Sequence, residues 1–487
     1  MLRCAPVACC LVLAATGLAR AAGPFDDLVK YTPPNTNTVV LIDVKAAYAS
    51  PLATTEKWRE KALTENRSVL GFVPPDAEQV LIAADANLSH MTREYQVGLV
   101  KVRNLPNMRD LATREGGSPD EIAGQVAALS PRDVYFTALP GSTLVAVHPA
   151  DRQYTARYMK AAGAKKTGDL APYLRKAVDG AGTNTVTIAV DLEDVVDKHI
   201  VRLALPASPS VTKVKADVDL LAPFLAQLKG LTFSAKITET VQGSIAVDFA
   251  LEPARFRKTL PDLFREVLED QGIAIQGIDN WKVDFAGNRM TLSGPLTVPD
   301  LKRIISLFAF PNPAADQDPD EKGNEPTASA TKRYLAAVDQ ILADIAQIKD
   351  NSKYEKMATW HDKAADQLRM LNRRNVDPLA VDAAQQCAKR LQAVAQSLRG
   401  VPIDQKALAD QGYVYYSGRS TSVGWWGLRP QVMSNPGYAE TNAPKILAEM
   451  NKVVEADKAR RTEAWSFIDR KMADTRTALA AKYKTGF

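Results

Sequence analysis

The chain has 487 residues, 46% of them apolar and 24% charged, with 29 Pro and 26 Gly. These proportions exclude wholesale disorder, a collagen-like repeat and a disulfide scaffold, and the length predicts about three domains. A formal charge of +5, with no dense basic cluster, argues against nucleic acid as a partner.

The first element reads as a leader. Arg3 supplies the positive start, Val7 to Leu18 a short apolar core, and Ala19-Arg20-Ala21 a small-x-small cleavage pattern. That run is shorter than the about 20 residues that span a bilayer. Cys9 and Cys10 do not end it, so they do not fit a lipid-modified cysteine. Cleavage after Ala21 is predicted, leaving an exported protein, periplasmic or extracellular. No later window offers a second span, so the mature chain is expected to lack a transmembrane helix. It would keep one thiol, Cys387, and packing rather than an internal disulfide must hold it together.

Residues 22–165 and 166–310 read as two copies of one α+β unit. Thr36-Asn37-Thr38-Val39-Val40-Leu41-Ile42-Asp43 is echoed by Thr183-Asn184-Thr185-Val186-Thr187-Ile188-Ala189-Val190-Asp191. Strand-like stretches recur at an offset of about 150 residues. Residues 79–84 match 231–236, 95–102 match 244–251, 134–139 match 281–286, and 142–149 match 289–296. Helical stretches at 151–162 and 299–308 close the two copies. Residues 253–271 show helical spacing at Phe256, Leu260, Leu263, Phe264 and Val267, with Pro261 expected as a kink. The expected fold class is α+β. Each copy runs β-α-β-β-α-β-β-α, a mainly antiparallel sheet with helices on one face. Two sibling domains are expected, and the pattern also allows one shared sheet.

Asp43 and Asp191 end matching strands and invite comparison with paired catalytic carboxylates. Capping of the helix that follows each is the favoured alternative.

Residues 311–330 (PNPAADQDPDEKGNEPTASA) carry a charge of −4 and no apolar side chain larger than Ala. They read as a disordered linker. Asp316, Asp318 and Asp320 imitate the start of a calcium loop. However, Glu321 stands where that loop needs Gly, and Thr327 where it needs the closing Glu.

Residues 331–487 carry 25 basic and 17 acidic residues, and their apolar spacing predicts an all-α bundle or coiled-coil-like module. Leu335, Val338, Ile341, Leu342, Ile345 and Ile348 form one stripe. Met357, Trp360, Ala364, Leu368 and Leu371 form another. Asp377-Pro378 opens a further helix as N-cap and first position. On it Ala384, Cys387, Leu391, Val394 and Leu398 make an inward seam, which predicts a buried, inert thiol. Residues 442–484 would make a helix about 60 Å long if unbroken, part of it projecting free or pairing with a partner. Before it lies an aromatic Gly- and Ser-rich loop, residues 411–441. Tyr413, Tyr415, Tyr416, Trp425, Trp426 and Tyr438 form a candidate interaction surface there, able to stack on sugars or settle at a membrane interface. Packing back onto the helices is the alternative.

Several runs in this rear third carry a resemblance. They are Tyr354-Glu355-Lys356-Met357-Ala358-Thr359-Trp360-His361, Asn375-Val376-Asp377-Pro378, Ser397-Leu398-Arg399-Gly400 and the terminal Lys482-Tyr483-Lys484-Thr485-Gly486-Phe487. Together they resemble a helical module of exported planctomycete-type bacterial proteins of unknown function. The resemblance implies an envelope setting and supplies no catalytic residues.

Known chemistries find little footing. His90, His148, His199 and His361 are scattered and show no H-x-x-x-H or H-x-H spacing, so no metal site is expected. There is no G-x-S-x-G elbow, phosphate loop or G-x-G-x-x-G run, and no cofactor is expected. Ser210-Val211-Thr212-Lys213 fits S-x-x-K, and K-T-G occurs at residues 166–168 and 484–486, but the S-D-N partner is missing. The sequence thus predicts a non-catalytic exported protein with a scaffold or binding role. Its partner would be an envelope protein, a polysaccharide or a membrane surface. The alternative is a hydrolase or small-ligand carrier with a site at the junction of the two copies.

Overall fold

The computed structural model describes residues 23–64, 70, 73–74, 76–87, 92–309, 325–349, 353–403 and 452–487. The leader, most of the acidic linker and the six aromatic residues of 411–441 lie outside the described residues.

Among the described residues, twelve strands form one sheet. They are β1 (Thr38–Asp43), β2 (Ala77–Asn87), β3 (Thr92–Val102), β4 (Ser118–Ile122), β5 (Gln125–Ser130), β6 (Val134–Leu139), β7 (Thr143–His148), β8 (Val186–Asp191), β9 (Leu228–Ile237), β10 (Val241–Phe249), β11 (Lys282–Ala286) and β12 (Arg289–Leu296). The order across the sheet is β11-β12-β10-β9-β8-β1-β2-β3-β7-β6-β5-β4. Every neighbouring pair is antiparallel. The two expected sheets are therefore one. They join at β1 and β8, where Val40 lies opposite Ile188 and Val39 opposite Ala189.

Ten of the strands fall on the alternating apolar stretches. The remaining hairpin, β4–β5, was not legible, because Ser-Pro-Asp-Glu-Ile has no apolar alternation. A two-residue turn makes it, with Ala123 and Gly124 both at positive φ. Pro119 is tolerated because β4 is an edge strand.

Sixteen helices accompany the sheet among the described residues. In the first half they are α1 (Asp26–Val29), α2 (Val44–Ala49), α3 (Pro51–Thr55), α4 (Trp58–Thr64), α5 (Met108–Glu115) and α6 (Arg152–Gly163). The second half carries α7 (Pro172–Gly180), α8 (Lys198–Ala204), α9 (Pro209–Val214), α10 (Val218–Leu225), α11 (Leu260–Asp270) and α12 (Val298–Ser306). The rear module holds α13 (Ala328–Ala346), α14 (Ala358–Arg369), α15 (Pro378–Leu398) and α16 (Lys458–Tyr483).

Helices cover both faces, not one as the sequence predicts. On the larger face, Val40, Ile82, Phe136, Ile188, Phe233, Val247 and Leu292 join α2, α4, α5 and α8 to α16 in a single core. On the other face, Val39, Leu41, Leu81, Val97 and Val145 meet α1, α6 and α7. This second cover lies mainly over the first half and reaches β8 and β9 of the second through α7. In the second half the same face presents Thr232, Ser234, Lys236, Ser244, Asp248, Thr291 and Ser293, which are half-buried or exposed.

Three local expectations shift. Pro261 stands in the first turn of α11 and starts that helix rather than kinking it. The linker ends earlier than residue 330, since Thr327 caps α13 by accepting the Ala330 N–H. Helix α16 has 26 residues, about 39 Å. Its Trp465, Ile468, Met472 and Leu479 are buried in the shared core, not free. Among the described residues, no helix is long and apolar enough to cross a membrane.

Candidate functional site

An apolar concavity of the described residues lies in the second half, between the sheet and α8, α10 and α11. Strand alternation aims Val247 and Phe249 of β10 and Met290 of β12 at this face. Leu260, Leu263, Phe264 and Val267 come from α11 at helical spacing, so one stripe faces the sheet. Val196, Val201, Leu225 and Leu228 complete a cavity of about 70 Å³ that is open on one side. All eleven lining residues are apolar. The site therefore has no lining side chain able to act as nucleophile, acid, base or metal ligand. It can hold an apolar group by excluding water.

Polar contacts fix the helices around it. Glu266 of α11 accepts the Ser208 hydroxyl at 2.9 Å and the Ser210 N–H at 3.0 Å, anchoring α9. Arg202 of α8 pairs with Asp219 of α10 at 2.6 Å. Behind the cavity, Phe224 stacks on Phe249 with ring centres 4.8 Å apart.

On the opposite face of the same strands sits a polar cluster. The Tyr173 hydroxyl donates to Asp248 Oδ2 at 2.9 Å and lies 3.0 Å from Thr232 Oγ1. Arg289 donates to both Asp248 oxygens, at 2.8 and 2.9 Å. Gly230 makes room for this, since a Cβ there would come within 2.2 Å of the Tyr173 ring. Burial pushes the Tyr173 phenol well above its ordinary range. Every acceptor and donor here is matched to its neighbour, which suits a brace between α7 and the sheet.

The rear module holds the most buried titratable groups. His361 Nδ1 donates to Met357 O at 3.0 Å, and its Nε2 faces the Tyr354 hydroxyl at 3.3 Å. Burial is the main force that lowers its pKa to about 4, so the ring is neutral. Burial raises the Cys387 thiol to about 12, which makes it a poor nucleophile.

Residues suspected of acting together are far apart. Asp43 and Asp191 end antiparallel neighbours, and their N–H groups donate to Thr185 and Asn37 at opposite ends of the β1–β8 pair. About six residues of strand, or roughly 20 Å, separate them. Asp43 caps α2 through the Ala46 N–H at 2.8 Å. Asp191 instead accepts the Glu193 N–H of a turn, and Asp197 caps α8. Ser210 to Lys213 belong to α9, while Thr167 and Gly168 bind the Lys30–Thr32 backbone beside the other face. His148 is on β7 and His199 on α8. No group of three or more His, Cys, Asp or Glu among the described residues could hold a metal ion. The junction of the halves is a paired strand, so the cavity lies inside the second half rather than at the junction. Leu260, Leu263, Phe264 and Val267 were legible as a buried stripe, but nothing in their spacing announces the space beside them.

No protein-family model matches the chain, and no curated protein does. Among solved structures it is similar to crystal form I of TP0453 at 10% identity and a TM-score of 0.34, over 58% of this chain and 97% of that one. Crystal form III of TP0453 gives 11% identity and 0.34, over 57% of this chain and 96% of that one.

Proposed function

We propose that the chain is an exported, non-catalytic protein of the cell envelope that acts by binding. The observation that carries this is the cavity of the second half, whose lining can hold a guest but offers no group to react with it. The leader pattern of residues 1–21 supports export, and the aromatic composition of residues 411–441 suits contact with an envelope protein, a polysaccharide or a membrane. The binding body consists of one α+β unit copied twice. Leaving out β4 and β5, the strand order outward from the centre is β1-β2-β3-β7-β6 on one side and β8-β9-β10-β12-β11 on the other. Each series places its first, second, third, fifth and fourth strands in that order, which supports duplication with a hairpin inserted into the first copy.

Crosslinking with mass spectrometry in envelope fractions tests the proposal. The expected result is a chain starting at Ala22, crosslinked to a protein or polymer of the envelope or holding an apolar ligand. A chain retaining residues 1–21 in the cytosol would overturn it.

A further inference from the structure

We infer that the cavity of the second half takes the end of an unbranched alkyl chain, such as the tail of a fatty acid or of a membrane lipid. This rests on the binding role proposed above and names its ligand class. Three features of the site support it.

The first is chemistry. All eleven lining residues are hydrocarbon or thioether side chains, so a guest group placed there must carry no hydrogen-bonding atom or leave that atom unsatisfied. An apolar lining of this kind favours an apolar guest over ordered water. The second is size. The free volume of about 70 Å³ is roughly half of the 150 Å³ that accepts a benzene ring in an engineered cavity. A slender chain end therefore suits the space better than a ring, and its remainder stays outside.

The third is the exposed apolar surface carried by the same stretch of chain, residues 203–251. Two residues beyond the lining Val201, Leu203 is 60% exposed, and two residues beyond the lining Phe249, Leu251 is 52% exposed. Val214 and Leu220, on the neighbouring helices α9 and α10, are exposed as well. Four of the seven large apolar side chains exposed among the described residues thus fall between 203 and 251. This stretch of chain carries more exposed large apolar side chains than the rest of the described surface, where single exposed Leu residues would need no explanation. The helices around the cavity are also short. Helices α8, α9 and α10 have 7, 6 and 8 residues, too short to be stable alone. Pro206 and Pro209 interrupt this stretch, and Pro223 sits inside α10.

The test uses the full mature chain and isothermal titration with dodecanoate below its micelle concentration. Sedimentation with phosphatidylcholine vesicles runs in parallel. Two variants fill the space, Val201→Phe and Val267→Phe, with thermal melting recorded for each. Saturable binding of dodecanoate by the wild type, weakened tenfold or more in both variants while their melting temperature is kept or raised, supports the inference with a free acid as source. Vesicle binding with the same loss, without dodecanoate binding, supports it with a lipid as source. Binding that both filled variants retain would overturn it, and so would failure of the wild type to bind either probe. In that last case an envelope partner recovered by crosslinking would leave the broader binding role standing.

Discussion

Between their first and second strands both halves of the sheet carry three short helices, and the two sets fill space differently. In the first half Trp58 is fully buried, its ring edge-on to Tyr48 with centres 6.4 Å apart and its N–H donated to Glu56 Oε2 at 2.8 Å. In the second half the corresponding segment offers Val196, Val201 and Leu225, and a cavity remains. The other side of the sheet differs too, apolar and covered in the first half, polar and half-open in the second. A shared strand order therefore sets where helices land but not whether their side chains close the space. One half sets an indole among these helices and the other lines a cavity there.

The sharpest way to break this contrast is Trp58→Ala. It should give the first half a void of its own and cost about 3–5 kcal/mol in urea unfolding. A loss below about 1 kcal/mol would show that Trp58 is not the filler. Next comes Arg132→Ala. Arg132 pairs with buried Glu115 and donates to Met370 O at 2.9 Å, holding the rear module to the first half. Leaving Glu115 with this partner removed should cost about 3 kcal/mol, read by chemical denaturation. It should also raise hydrogen exchange in α5 and the β4–β5 hairpin.

Intermediate in size is the effect of His361. Its folded pKa of about 4 lies below the ordinary 6.5, so the unfolded chain binds more protons between those values. Stability conferred by the neutral ring is present above pH 6.5 and is lost as pH falls toward 4. The loss should be on the order of 1–3 kcal/mol. Subtracting the profile of His361→Gln from that of the wild type isolates it; a flat difference would refute the assignment. The smallest effect is expected from Trp360→Phe, which removes the N–H bond to Ala274 O (3.1 Å) that ties the module to the second half. About 1 kcal/mol should go, and Arg132→Ala should remain the more damaging of the two.

Much of the sheet was legible because alternation fixes which strand residues face the core, as at Thr38–Asp43 and Val186–Asp191. Sheet continuity was not, since β1 and β8 could each have been an edge and nothing local records a partner about 150 residues away. The β4–β5 hairpin hid in polar residues whose turn geometry, not hydropathy, makes it. Helix positions in the rear module were legible from stripes such as Leu335, Val338 and Leu342. That the stripe of α16 packs into the common core depends on long-range contacts, among them Lys482 and Tyr483 binding Asp377 at 2.6 and 2.9 Å. The cavity was least legible of all, because it depends on volumes left over when four elements meet.

The pairing of β1 with β8 has one more consequence. A gene fragment coding for either half by itself would yield a protein with a raw flank, Val39–Ile42 or Val186–Val190, its backbone amides and carbonyls unmet. Such flanks recruit whatever strand is at hand, commonly a second molecule of the same kind. Divided at this seam, a lone half should self-associate before it can stand as a monomer.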